Sequence, residues 1–221
     1  KKRIKREPLA YIFNEWDFYG ETFYLDKNSL IPRQDTELII DLVIKQFDKE
    51  SKLNILDLGT GSGVIGITLS KLYPNSIITI SDISSKALNV ANKNIKNHNV
   101  TNIRSLESDW FDNFKEKELF DLILTNPPYI SKNDVHLNNL ELGYEPSNAL
   151  VAANDGFADI FKIIDTSPKF LNSGGLLIIE HGHTQGNRVK NYFQQKSFNN
   201  IKQHQDINQK IRVTSASKIK V

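Results

Sequence analysis

The sequence predicts an α/β fold: a doubly wound, mostly parallel seven-stranded sheet with an antiparallel last strand, preceded by a small β-hairpin. Three observations carry this expectation. Short apolar runs alternate with helical periodicity from residue 53 onward, the signature of a parallel sheet with helices on its faces. A glycine loop follows the first of these runs and opens a helix. Two strand-like segments close the chain, near enough in sequence to pair antiparallel.

The elements follow in order. Aromatic and polar residues alternate from Trp16 to Leu25, a hairpin turning near Gly20. From Asp35 the spacing changes to Leu38, Ile39, Leu42, Val43 and Phe47, a helix with Asp35 or Thr36 as its N-cap. Residues 53–58 form a strand running into the glycine loop, followed by a helix to about Tyr73 and a strand at Ile77–Ile80. Leu88, Ala91 and Ile95 mark a helix after Ser84-Ser85, and Ile103–Asp109 resumes a strand-like pattern. Phe120–Thr125 is a buried strand, and the polar stretch 130–156 is long enough to be a substrate-facing loop. Phe157, Ile160, Phe161 and Ile164 make a helix, Gly174-Gly175 a turn, Leu176–Glu180 a strand, and Val189, Tyr192 and Phe193 a helix. Ile201–Ile207 and Arg212–Lys218 are the closing pair. The expected organisation is a linker and hairpin over 1–34 and a catalytic domain over 35–221.

Composition narrows the classes. The 221 residues suffice for one α/β domain with a small appendage, at 39% hydrophobic content and a mean hydropathy of −0.40. No apolar stretch approaches a membrane span or a signal sequence. A formal charge of +2 lacks the basicity that announces nucleic-acid binding. The absence of cysteine excludes disulfides and thiolate metal sites and fits a cytoplasmic protein. Methionine is absent too, even at position 1, and the basic run Lys1–Arg6 reads as a solvated linker, so the chain is expected to be a piece of a longer one.

Asn126-Pro127-Pro128-Tyr129 follows the strand 120–125 directly, at the carboxyl end where ligands of open α/β sheets bind. Neither proline donates a backbone N–H and each fixes its φ, so the turn is stiff and its carbonyls point outward. The Asn126 side-chain carbonyl and a nearby backbone carbonyl can accept both N–H groups of an –NH2, with Tyr129 as a flat wall. An amide nitrogen is a weak nucleophile because its lone pair is delocalised. Two acceptors on its hydrogens redirect that pair toward an electrophilic methyl, and positioning supplies much of the rate. Asn126, Pro127 and Tyr129 are therefore the candidate catalytic residues, and Asn126 to Tyr129 the candidate substrate site. The plainer alternative is a proline-rich strand-to-loop turn.

Gly59-Thr60-Gly61-Ser62-Gly63 is the candidate cofactor loop, and Asp82, ending the second strand, suits both hydroxyls of a ribose. Asp109 can accept from an adenine amino group while Trp110 covers the ring. A dinucleotide reading competes, because Gly61 to Gly66 also satisfies G-x-G-x-x-G. Asp57 before the glycines favours the ammonium end of an amino-acid cofactor over a pyrophosphate.

With these residues placed, the sequence resembles the class I S-adenosylmethionine-dependent methyltransferases, which are Rossmann-like, and more narrowly the peptide chain release factor glutamine methyltransferases. The narrower match rests on Arg6 to Ile12, Leu30 to Glu37, the glycine loop, Ser108 to Phe111, and Asn126 to Ile130, with Glu145-Pro146 and Asn154 to Gly156. The resemblance implies that Gly59 to Gly63, Asp82, Trp110 and Asn126 contact S-adenosyl-L-methionine and that Asn126 to Tyr129 hold the glutamine of a Gly-Gly-Gln motif. It also implies a release factor as protein partner, no membrane, no direct nucleic-acid binding, and action as a monomer. The family's small N-terminal helical domain is expected to be mostly absent. Gln34 stands where a proline is expected, His181 where an apolar residue is common, and Asn208 to Lys210 lack an expected glycine. The main rival activity is methylation of an adenine amino group in nucleic acid, which poses the same geometric problem. A non-catalytic adenosine-binding module is the rival from another class.

His181 and His183 alternate at a strand end but lack a third ligand, so no metal is expected. Arg33 is read as orienting an acidic group or forming a surface ion pair. Glu37 and Glu141 receive no role.

Overall fold

The computed structural model describes residues 2–220. Its N-terminal part holds a short helix α1 (Leu9–Phe13) and the hairpin of β1 (Glu15–Phe18) and β2 (Glu21–Tyr24). The hairpin turns at Tyr19-Gly20, both with positive φ, the geometry that matches the twist of the flanking strands. After α2 (Glu37–Gln46) the chain alternates through β3 (Asn54–Leu58), α3 (Val64–Leu72), β4 (Ile77–Asp82), α4 (Ser85–Asn97), β5 (Ile103–Glu107) and β6 (Phe120–Thr125). Short strands β7 (Ile130–Ser131) and β8 (Val151–Ala152) pair parallel across the 130–156 segment, which also holds three 3-10 turns. One irregular turn, α5 (Ala153–Gly156), leads into α6 (Ala158–Thr166), β9 (Leu171–Glu180), α7 (Gly186–Gln194), β10 (Phe198–Gln205) and β11 (Ile211–Lys218).

The seven-stranded sheet runs β10-β11-β9-β6-β3-β4-β5. β11 is antiparallel to both neighbours, and the pairs from β9 to β5 are parallel. This is the doubly wound sheet with an antiparallel last strand that the alternation implied. Strand side chains alternate between two layers of core. Ile55, Leu122, Leu124 and Ile178 face α2, α3 and the hairpin, whose Phe18 and Phe23 belong to the same buried layer. Leu56, Ile123, Leu177 and Ile179 face α6, α7 and a stack of phenylalanines.

Two local readings change. Gly174-Gly175 lies inside β9, where the register against β6 slips between Phe120 and Leu122, so the pair forms a bulge within one long strand. Thr36 precedes α2 without capping it through its side chain, because its hydroxyl is engaged across the site by Asn126.

Asn94 on α4 ties the hairpin to the glycine loop. It is fully buried, and its amide meets Tyr24 N at 2.8 Å, Tyr24 O at 3.0 Å and Ser62 O at 2.9 Å. Asn94→Ala strands all three groups and is expected to cost about 1–3 kcal/mol in urea denaturation, with weaker cofactor binding as the loop loosens.

Candidate active site

The parallel register brings the tips of β3, β4 and β6 level: Leu58 lies opposite Ser81 on one side and Thr125 on the other. Thr125 Oγ1 donates to Leu58 O at 2.7 Å and locks two of these tips together. A cleft of about 280 Å³ opens above them. Gly59, Gly61, Asp82, Asp109, Trp110, Asn126 and Pro128 all face it.

Asp82 is oriented by the backbone: Gly61 N donates to Oδ2 at 2.9 Å and Ser84 N to Oδ1 at 2.8 Å. Each oxygen keeps a lone pair for a ligand hydroxyl. Burial raises its pKa, and the backbone N–H groups of Ser84 and Gly61 oppose the shift. A side chain at Gly61 would meet nothing within 4 Å, so the backbone there is bare toward a ligand. Trp110 adopts a left-handed φ of 48°, uncommon for a bulky residue and the kind of strain found at binding sites. Its carbonyl accepts from Ser108 Oγ at 2.9 Å and its indole Nε1 donates to Asp159 at 3.1 Å. The donor and acceptor set, with the apolar Ile83, Ala87 and Trp110, fits an adenosine-bearing cofactor.

Three residues of the expected cofactor loop are turned away from the cleft. Thr60 is buried and donates to Asp57 at 2.5 Å, Ser62 is buried with its carbonyl held by Asn94, and Gly63 opens α3 beneath Ala91. Asp57 also accepts from Gly66 N at 2.9 Å and is fully buried. Its expected role toward the cofactor ammonium is therefore corrected: between sheet and α3 it organises the glycine loop, and burial pushes its pKa up to about 6. The Asp109 carboxylate is paired with Lys162 at 3.1 Å. Pro127 is buried.

The Asn126 turn is held from behind. Asn126 Nδ2 donates to Thr36 Oγ1 at 3.1 Å. Tyr129 lies off the cleft wall, against the phenylalanine layer, and its hydroxyl donates to Glu180 at 3.4 Å. Gln185 Nε2 donates to Tyr129 O at 3.1 Å, while Gln185 Oε1 accepts from Gly182 N at 2.8 Å. Among the described residues, nothing donates to Asn126 Oδ1 or to the Pro127 carbonyl. Two acceptors of the turn thus stay open.

Sequence reasoning missed several contributors. Asn28 and Leu30 reach the cleft from the segment after the hairpin, and Asp159 reaches it from α6. Only the Leu30 to Glu37 motif hinted at the first group; a carboxylate at a helix start gave no signal for the third. Arg33 pairs with Glu145 at 2.5 Å, and that carboxylate, 2% exposed, also accepts from Ile31 N at 3.0 Å. The pair is thus a clasp between the N-terminal segment and the 130–156 loop, buried at its glutamate end. Glu37 accepts from Tyr19 N at 2.9 Å and Glu141 pairs with Arg3 at 2.8 Å, both structural. His181 is buried against Thr214 Oγ1 at 2.8 Å, and His183 is exposed.

The family described as methyltransferase small domain matches residues 36–142. A release factor glutamine methyltransferase of Francisella tularensis is 41% identical over 211 residues, covering 95% of this chain and 74% of that protein. The chain belongs to the release factor glutamine methyltransferase family. Solved structures agree on the architecture. A methyltransferase of Pyrococcus furiosus superposes with a TM-score of 0.67 at 16% identity, covering 92% of this chain and 91% of that one. A Thermus thermophilus 16S rRNA N2 G1207 methyltransferase, in complex with AdoMet and guanosine, gives 0.68 at 16% identity over 92% of this chain and 49% of its own. At that identity the likeness shows the fold this family shares.

Gly156 has a φ of 87°, and a Cβ there would lie 2.1 Å from the Tyr129 carbonyl oxygen. Gly156→Ala should destabilise by about 2–5 kcal/mol, through left-handed strain plus overpacking, and lower turnover as the turn shifts. Burial pushes the Glu180 pKa up to about 7, while an exposed glutamate titrates near ~4.3. The stability it contributes is present in full below the lower value and lost as pH rises through about 7. Urea midpoints should show Glu180→Gln losing less stability than wild type between about pH 5 and about pH 8.

Proposed function

We propose that this protein methylates the side-chain amide nitrogen of the glutamine in the Gly-Gly-Gln motif of class I peptide chain release factors, using S-adenosyl-L-methionine. The observation that carries the reading is the Asn126 turn at the mouth of the cleft, with two open acceptors on a diproline frame. The relative's name and the AdoMet complex of the rRNA enzyme support it.

The bound cofactor supplies an electrophilic methyl group on a positively charged sulfur, leaving S-adenosyl-L-homocysteine. Asp82 is suited to its ribose hydroxyls, Trp110 and Asp109 to its adenine, and the Gly59 and Gly61 backbone to the rest. Asn126 Oδ1 and the Pro127 carbonyl accept the two N–H groups of the substrate amide. That pairing orients the nitrogen and draws its lone pair away from the amide π-system, and one of the two amide protons leaves to solvent as the nitrogen gains the methyl group. Pro128 lines the approach, and Tyr129 braces the turn through Glu180. Pro127 and Pro128 carry no N–H, so neither proline competes with the substrate's hydrogens for those acceptors. We divide the chain on this basis into 1–34, which supplies Asn28 and Leu30 to the cleft wall, and 35–221, which supplies the acceptors. A release factor substrate also goes with action as a monomer in the cytoplasm, without direct nucleic-acid binding.

Incubation with radiolabelled cofactor and either release factor or DNA tests the reading: label should enter the release factor on its Gly-Gly-Gln peptide. Label in DNA alone overturns it. Asn126→Ala should lower turnover by on the order of 100-fold or more while cofactor affinity, measured by calorimetry, stays close to wild type.

A further inference from the structure

A buried carboxylate stands behind the Asn126 turn without a part in the chemistry above. Glu180, at the end of β9, is 1% exposed; Oε1 accepts from the Tyr129 hydroxyl at 3.4 Å and Oε2 has no full hydrogen bond in the protein. A carboxylate so placed is costly, and residues that carry such a cost concentrate at functional sites. Thr36 supplies the connection. Its hydroxyl lies near enough to favour the ionised form of Glu180, in a contact looser than a full hydrogen bond, and its oxygen accepts from Asn126 Nδ2 at 3.1 Å.

A hydroxyl has one proton to give. When Thr36 turns it to the Glu180 carboxylate, the threonine oxygen can only accept from Asn126, so the amide must keep its –NH2 inward and its Oδ1 toward the cleft. Building on the amide-methylating reading, we propose that Glu180, acting through Thr36, is a positioning residue that decides which end of the Asn126 amide meets the substrate. Protonated Glu180 donates where it had accepted. Thr36 then turns its proton to Asn126, the amide reverses, and its –NH2 opposes the –NH2 of the substrate. Two donors face each other and binding in the reactive pose fails.

The groups around the carboxylate come from three elements. Asp35 beside α2 favours the protonated form, whereas Thr36, Arg212 of β11 and Tyr129 after β6 favour the ionised one. Burial outweighs them, which sets the titration near neutrality, at about 7. His181, next in the chain, is turned to Gly182 O and Thr214 and takes no part.

The test uses turnover on release factor, cofactor affinity by calorimetry, and the side-chain amide resonance of Asn126 in the ligand-free protein. Thr36→Val, of the same shape, should cut kcat by on the order of 100-fold with cofactor affinity unchanged, and Thr36→Ser should restore most of it. Wild-type kcat should fall as pH drops through about 7, and Glu180→Gln should flatten that acid limb. The Asn126 resonance should titrate with the same midpoint in wild type and not in Thr36→Val. A Thr36→Val enzyme as fast as wild type, or an acid limb that persists in Glu180→Gln, overturns the proposal. Wild-type protein that transfers nothing to the release factor overturns the substrate reading instead. The Asn126 resonance still decides the present inference in that case, and its failure to titrate refutes it.

Discussion

The level register of the central parallel strands is the constraint on which the site depends. Leu58 and Thr125 end β3 and β6 side by side, level with Ser81 one residue before the end of β4, and the Thr125 hydroxyl bridges to Leu58 O at 2.7 Å. With those tips level, the glycine loop, Asp82 and the Asn126 turn emerge at one height and close one cleft. A one-residue slip in any of these strands would send every side chain to the opposite face and carry the site with it. The two layers of buried leucine, isoleucine and phenylalanine make that slip costly, so the chemistry is positioned by the core beneath it.

Around that frame the protein accepts local costs. Asp57 and Glu180 are carboxylates held in full burial, each with one oxygen lacking a partner, and Trp110 sits in a left-handed conformation. None of these favours the fold by itself. Each holds something at the cleft in place: the glycine loop by Asp57, the rear of the Asn126 turn by Glu180, and an aromatic wall by Trp110. Conflict between local preference and global fold concentrated at one site is what a functional demand on a stable scaffold produces.

Much of this was legible from spacing. The strand–glycine–helix order, the acid ending β4 and the diproline turn after β6 are local patterns, and their shared position at strand ends follows from the parallel topology. Thr36 shows why the rest was not. In sequence, Asp35-Thr36-Glu37 before an apolar helix reads as a cap, yet the hydroxyl serves Asn126, 90 residues away. Arg33 and Glu145 repeat the lesson, since the burial that makes their pair a clasp depends on a loop folding back over the N-terminal segment. The Gly174-Gly175 pair reads as a turn and is a bulge, because only the partner strand shows that pairing continues past it.

Composition, periodicity and local motifs alone determined the sheet, its helices, the glycine loop after β3 and the diproline tetrapeptide after β6, because each is written in contiguous residues. Tertiary structure alone decided which groups stand behind that tetrapeptide, whether Asp57 meets ligand or core, and which way the Asn126 amide points. Those outcomes rest on burial and on hydrogen bonds between residues far apart in the chain, and neither quantity exists until the strands have paired.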